Sequence, residues 1–261
     1  MAHAHKDTPA GPLRTLTVPV AAIVALTVAV AWYVTYASMD AAMMGLLDPM
    51  RGAYDPAGVA AFTGLMVVMM VAMMLPSALP MILAFHGLTR MEAGRPTRPA
   101  DLPATLLFVT PYFLVWGAVA ALAVIGLLAF GVMGGMGSME MAVVVPAGVL
   151  IAAGAYQFTR PKEVCLSHCQ SPMGFVMRHW RSGRPGAVRM GLRHSVYCLG
   201  CCWLLMAVLF VVGAMSLLWM GLVSIAIFAE KVAPPKWPVS RVLGAAMLVP
   251  GVLLMIRALL G

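Results

Sequence analysis

Seven long stretches of this chain carry almost no charge: roughly Val18–Ala37, Ala57–Phe85, Pro103–Phe130, Met141–Phe158, Val196–Gly213, Ser216–Ala229 and Val239–Leu259. About 20 apolar residues in an α-helix cross the hydrocarbon of a bilayer. Lipid supplies no water to satisfy an open backbone, so such runs are expected to be helices. None has the alternation of a membrane barrel strand. The expected fold is therefore all-α, a polytopic transmembrane bundle of about seven helices. Composition agrees: 62% hydrophobic and 10% charged, against about 45–50% and 25% in soluble domains.

The span count turns on residues 196–229. As one helix they would measure about 50 Å, too long for a bilayer. A turn at Gly213-Ala214-Met215-Ser216 divides them into a hairpin; one span instead of two leaves six. Charge tests this count. With the N-terminus in the cytoplasm, segments 1–17, 86–102, 159–195 and 230–238, with Arg241, hold all but Arg51 and Arg257 of the 17 Lys/Arg. The loop 38–56 on the other side holds Asp40, Asp48 and Asp55. This is the positive-inside bias, so the net charge of +8 concerns topology and anionic lipid rather than nucleic acid, for which no basic-aromatic module is present. The expected organisation is a flexible cytoplasmic tail over 1–16 and one transmembrane domain over 17–261. A basic, cysteine-bearing cytoplasmic loop is expected at 159–195. The first run lacks a small-residue cleavage site and reads as a retained helix. His3 and His5 belong to the tail.

All five cysteines lie within the segments CLSHC and YCLGCC: Cys165, Cys169, Cys198, Cys201 and Cys202. A reducing cytoplasm and an odd count argue against stable disulfides. Cys165 and Cys169 are one helical turn apart, as are Cys198 and Cys202, with His194 a turn earlier and Met206 a turn later. Two such pairs brought together would offer three or four soft ligands, which suit Cu(I), Zn(II) or an iron–sulfur cluster. Buried cysteines also serve simply as small apolar packing residues. His168, between the first two cysteines, lies off their shared face, and His86 and His179 read as interfacial.

Methionine is unusually frequent, 24 residues. In LMVVMMVAMMLPSALPM, Met66, Met70 and Met73 follow one helical face, with Met69 beside them. Thioethers bind Cu(I) and can line a transfer path with Met206, although methionine is also an adaptable core filler. Pro76 and Pro80 interrupt the same run, where a kink can free backbone carbonyls. Small residues at Gly148-x-x-x-Ala152 and Gly126-x-x-x-Phe130 suggest helix packing. No Asp or Glu falls mid-run, Glu140 and Glu230 lying at run ends, so proton-coupled transport has little support. No phosphate loop, H-E-x-x-H or G-x-S-x-G motif appears, and no enzymatic activity is expected.

The segments MMVAMMLPSALPMIL (69–83), YQFTRPKEVCLSHCQSPMGF (156–175) and MGLRHSVYCLGCCWLLM (190–206), with MSLLWM and EKVAPP, resemble a bacterial family of predicted metal-binding integral membrane proteins. The likeness covers roughly residues 57–260. It implies a multi-helix protein of the bacterial inner membrane with a metal site, but no reaction. Carried over by position, its matching residues are Cys165, Cys169, His194, Cys198, Cys201 and Cys202. Ser195 and Ser216 depart from the family pattern, which has Gly and Asn there; the second change puts in doubt any polar role at that turn.

The chain is thus expected to bind copper, or else zinc, at the cytoplasmic face for delivery or homeostasis. Cys165, Cys169, Cys198 and Cys202 would be thiolate ligands, with Cys201 and His194 as alternates. Two other readings stay open: an accessory subunit of a larger membrane metalloenzyme complex, or a membrane thiol–disulfide relay. Expected partners are the bilayer and either such a complex or further copies of the chain.

Overall fold

A computed structural model describes residues 14–46, 56–89, 91–92, 95–96, 101–129, 141–212, 216–234 and 236–260. The order is α1 (Arg14–Leu46), α2 (Pro56–Leu88), α3 (Leu102–Ala129), α4 (Met141–Tyr156), α5 (Arg160–Gln170), α6 (Pro172–His179), α7 (Gly183–Val212), α8 (Leu217–Val232) and α9 (Val239–Leu260). The one extended feature among these residues is an antiparallel pair, Met91–Glu92 with Arg95–Pro96, between α2 and α3.

Each apolar run has become a helix. Five helices, α1, α2, α3, α7 and α9, are long and apolar enough to cross a membrane, and six if α4 and α5, bent by 66° at their junction, count as one broken span. The remaining difference from seven is length. Both α4 and α8 have 16 residues, about 24 Å at 1.5 Å per residue, short of a hydrocarbon core of about 30 Å. The expected hairpin over 196–229 is present as α7 and α8. Lys231, near the end of α8, reaches back to Cys198 in α7, so the two run antiparallel. Residues 213–215 of the turn lie outside the described residues.

The segment 159–195, expected as a loop, is instead α5, α6 and the first three turns of α7. Local chemistry explains the starts. Pro161 and Pro172 fill first-turn positions, where a missing N–H costs nothing, and Glu163 sits at the positive end of α5. Gly183 takes φ 78°, a left-handed backbone, as the chain enters α7.

Helix α2 is the hub, packing on α1, α3, α6 and α8, while α7 packs on α3, α4, α5 and α8. Large apolar side chains on the outer faces of α1, α3 and α9 stay exposed, including Leu26, Leu114, Leu122 and Leu253. That is the surface a lipid-facing helix presents. The glycines that bring helices together are not those the spacing suggested. A Cβ at Gly126 or Gly148 would meet nothing within 4 Å, whereas one at Gly154 would come 2.8 Å from the Gly244 carbonyl oxygen. Close packing is therefore at α4–α9.

Among the described residues, the end of α2 meets the residue beyond α6, and the end of α5 meets the end of α8. Phe85 at the end of α2 lies 5.9 Å from the Trp180 ring beyond α6. Gln170 Nε2 donates to the Glu230 carbonyl at 2.8 Å.

Candidate metal centre

A nearly dry core of sulfur lies where α2, α7 and α8 approach. Met66, Met69, Met70, Met73 and Met74 of α2 are at most 1% exposed, as are Cys198, Cys201, Cys202 of α7 and Met220 of α8; Met206 is 2% exposed. These residues belong to one contiguous apolar cluster, in which a thiol or thioether meets little water.

One contact that ties α7 to α2 is sulfur to sulfur. Cys202 Sγ lies 3.8 Å from Met74 Sδ and 2.9 Å from the Cys198 carbonyl oxygen, one turn back. Two sulfurs sharing an ion at about 2.3 Å each would stand about 3.8 Å apart at a tetrahedral angle and wider at a more open one. Cys198 is held from two further helices. Lys231 Nζ of α8 donates to Cys198 Sγ at 3.0 Å and to Ser77 Oγ of α2 at 2.9 Å. Tyr112 Oη of α3 lies 3.5 Å from Cys198 Sγ and donates to the Met74 carbonyl at 2.9 Å. An ammonium group is thus buried against a thiol, a placement that offsets negative charge on a thiolate set.

The prolines of α2 shape this wall. Pro76 and Pro80 cannot donate to the carbonyls four residues earlier. Nearby carbonyls take hydroxyls from elsewhere: Met74 accepts from Ser77 and Tyr112, and Met73 from Ser224 of α8. Two carbonyls beside Pro76, those of Met73 and Met74, thus accept protein hydroxyls.

The cysteines do not converge as two paired sets. Cys201 interacts with Cys169 of α5 and with Cys198 and Cys202 of its own helix, while Cys202 also faces Met74 of α2. Cys165 is half-buried on another side, where Gly200 leaves room for it: a Cβ there would stand 2.6 Å from Cys165 Sγ. Among the described residues no three His, Cys, Asp or Glu side chains surround one point as metal ligands would. The four-thiolate set of Cys165, Cys169, Cys198 and Cys202 is therefore not assembled. One soft-donor group mixes thiols with a thioether: Cys202 with Met74, and Cys198 one turn earlier on α7.

His194 sits one turn before Cys198, its ring 5.7 Å from Tyr112 and 6.0 Å from Phe108, both stacked. It is 4% exposed, and neither ring nitrogen finds a hydrogen-bond partner. Such an orphan in a buried site leaves donor and acceptor capacity for a ligand. His168 goes elsewhere, stacked on Tyr197 at 4.1 Å. His86 is buried and bonds Thr105 at 2.9 Å, tying α2 to α3. His3 and His5 lie outside the described residues.

Three contributors were not singled out in the sequence: Met74, Lys231 and Tyr112. Met74 was passed over for its neighbour Met73. Lys231 looked like a solvated loop charge, yet it is 6% exposed; Lys162, a basic neighbour of Cys165 in the sequence, is 1% exposed. Lys162 Nζ bonds Glu230 Oε2 at 2.7 Å and also the Cys201 carbonyl, fixing α5, α7 and α8 behind the thiols. Tyr112 carries no local signal at all.

The chain is a helical bundle with membrane-length apolar helices and a buried core of thiols and thioethers. Residues 63–254 match the model of a family described as PpoB2, copper chaperone, and the chain belongs to that family. The match includes most of α2 and all five cysteines. No curated protein and no solved structure matches the chain.

Proposed function

We propose that this chain is a multi-pass membrane copper chaperone that holds Cu(I) in its sulfur core and passes it on, without catalysing a reaction. Cys198, Cys202 and Met74 hold the ion, and Cys201, Cys169 and His194 are the ligands through which it enters or leaves. The observation that carries this reading is the 3.8 Å approach of Cys202 Sγ to Met74 Sδ in a fully buried core. Soft, polarisable donors favour Cu(I), and a dry site protects it. Copper is preferred to zinc because a structural zinc site wants four N or S ligands in a closed tetrahedron, which the described residues do not form. Met66, Met69, Met70, Met73, Met206 and Met220 extend the thioether surface along the core. Lys231 balances the charge of the thiolates around a monovalent ion.

In this reading the basic end of the bundle faces the bacterial cytoplasm. A thiol–disulfide relay is less well supported, since it needs accessible thiols and four of the five are buried. The test is the copper content of the detergent-purified protein beside Cys198→Ser/Cys202→Ser. Stoichiometric copper in the native chain, absent from a folded variant, is expected. Equal copper in both, or zinc in its place, refutes the assignment.

A further inference from the structure

Separate from the sulfur core, a cavity of 570 Å³ opens between the end of α6 and the first turns of α7. Arg181, Arg189 and Arg193 line it, together with Leu192, Val196 and Tyr197. Arg189 and Arg193 are four residues apart, so their guanidiniums share one face of α7. Leu192 and Val196 are also four apart and stand 49% and 56% exposed, which places an apolar strip beside the arginines and on toward the middle of the helix. Among the described residues no carboxylate pairs with these arginines; the one ion pair there is the buried Lys162–Glu230.

We propose that this cavity binds the phosphate headgroup of an anionic phospholipid. The inference rests on the reading of α7 as a membrane span, and not on the copper assignment. Three guanidiniums present fork-shaped donors to phosphate oxygens and repel cations. The geometry of α7 adds what a soluble phosphate would not use. A helix of 30 residues is about 45 Å long, so its first ten or so residues project from a hydrocarbon core of about 30 Å. Arg189 and Arg193 then fall at the headgroup level. Tyr197 lies just inside, where interfacial aromatics concentrate. The exposed Leu192 and Val196 lead inward and give an acyl chain a surface to follow. Basic pockets between helices at the cytoplasmic leaflet take anionic headgroups by this combination.

The experiment uses the full chain in nanodiscs of phosphatidylcholine doped with phosphatidylglycerol, with bound lipid read by native mass spectrometry after release. The native chain should retain phosphatidylglycerol over phosphatidylcholine. Arg189→Gln/Arg193→Gln should weaken that preference about thirtyfold, from two lost basic contacts at a membrane surface. Arg189→Lys/Arg193→Lys should fall between, because charge is kept and the bidentate fork lost. Equal retention of the two lipids by the native chain overturns the proposal. So does an unchanged preference in the Gln variant, or competition by soluble glycerol phosphate as strong as by the lipid, which would make this a free-phosphate site. If the Gln variant does not fold, the first and last of these are still decided on the native chain. A chain that extracts without detergent would sink the membrane reading instead, a distinct outcome.

Discussion

Replacing Glu230 with alanine removes one half of a buried ion pair and leaves the other half stranded. The pair is 2.7 Å apart, with side chains 2% and 1% exposed, so Lys162 would be left buried without its counterion. Breaking such a pair costs about 3–5 kcal/mol, whereas replacing both partners by apolar residues of similar volume is often neutral. Lys162 also donates to the Cys201 carbonyl, so the stranded ammonium would pull on the α7 backbone behind the thiols. Glu230→Ala should therefore lower stability by about 3 kcal/mol or more, and Lys162→Met/Glu230→Leu should recover most of that. Unfolding in mixed micelles with increasing denaturing detergent, followed by tryptophan fluorescence, measures both. A single variant as stable as the native chain would refute the reasoning. A double variant no better than the single would do so as well, by showing that shape rather than charge matters there.

Other consequences are as direct. Met74→Leu conserves volume and should cost less than about 1.5 kcal/mol in stability while weakening copper retention against a Cu(I) chelator; unchanged retention would remove Met74 from the site. Lys231→Met should leave the bundle folded but reduce copper occupancy, measured by elemental analysis, because the thiolate charge loses its counterion. Gly191→Ala would drive a Cβ into the Phe108 backbone carbonyl where α3 meets α7, so folded yield in detergent should collapse. Normal yield would show that the two helices separate freely. In a chain whose other four cysteines are serine, Cys165 should react with a membrane-impermeant maleimide only from the cytoplasmic side; labelling from the periplasm would invert the topology.

What the sequence disclosed and what it concealed divide along a physical line. Long uncharged runs announce helices because lipid permits nothing else, and each of the seven runs is a helix here. Helices α5 and α6, with 11 and 8 residues, were hidden because they are too short to span a bilayer and lie in a basic segment that its charges mark as outside it. The cysteines pointed to soft-metal chemistry, but not to its arrangement. Spacing along one helix says which residues share a face, and only packing decides which helix that face meets. So Cys202 found Met74, which is 128 positions away, rather than the Cys165 pair. Buried lysines were illegible for the same reason: Lys162 depends on a carboxylate 68 residues distant.

The central claim is that a thiol–thioether core receives copper. X-ray absorption at the copper edge of the Cu(I)-loaded protein tests it most directly, since the scattering shell reports the ligand atoms. Sulfur neighbours at about 2.3 Å, reduced in number in Met74→Leu and again in Cys202→Ser, are the predicted result. A shell of nitrogen and oxygen alone, unchanged in both variants, would contradict it.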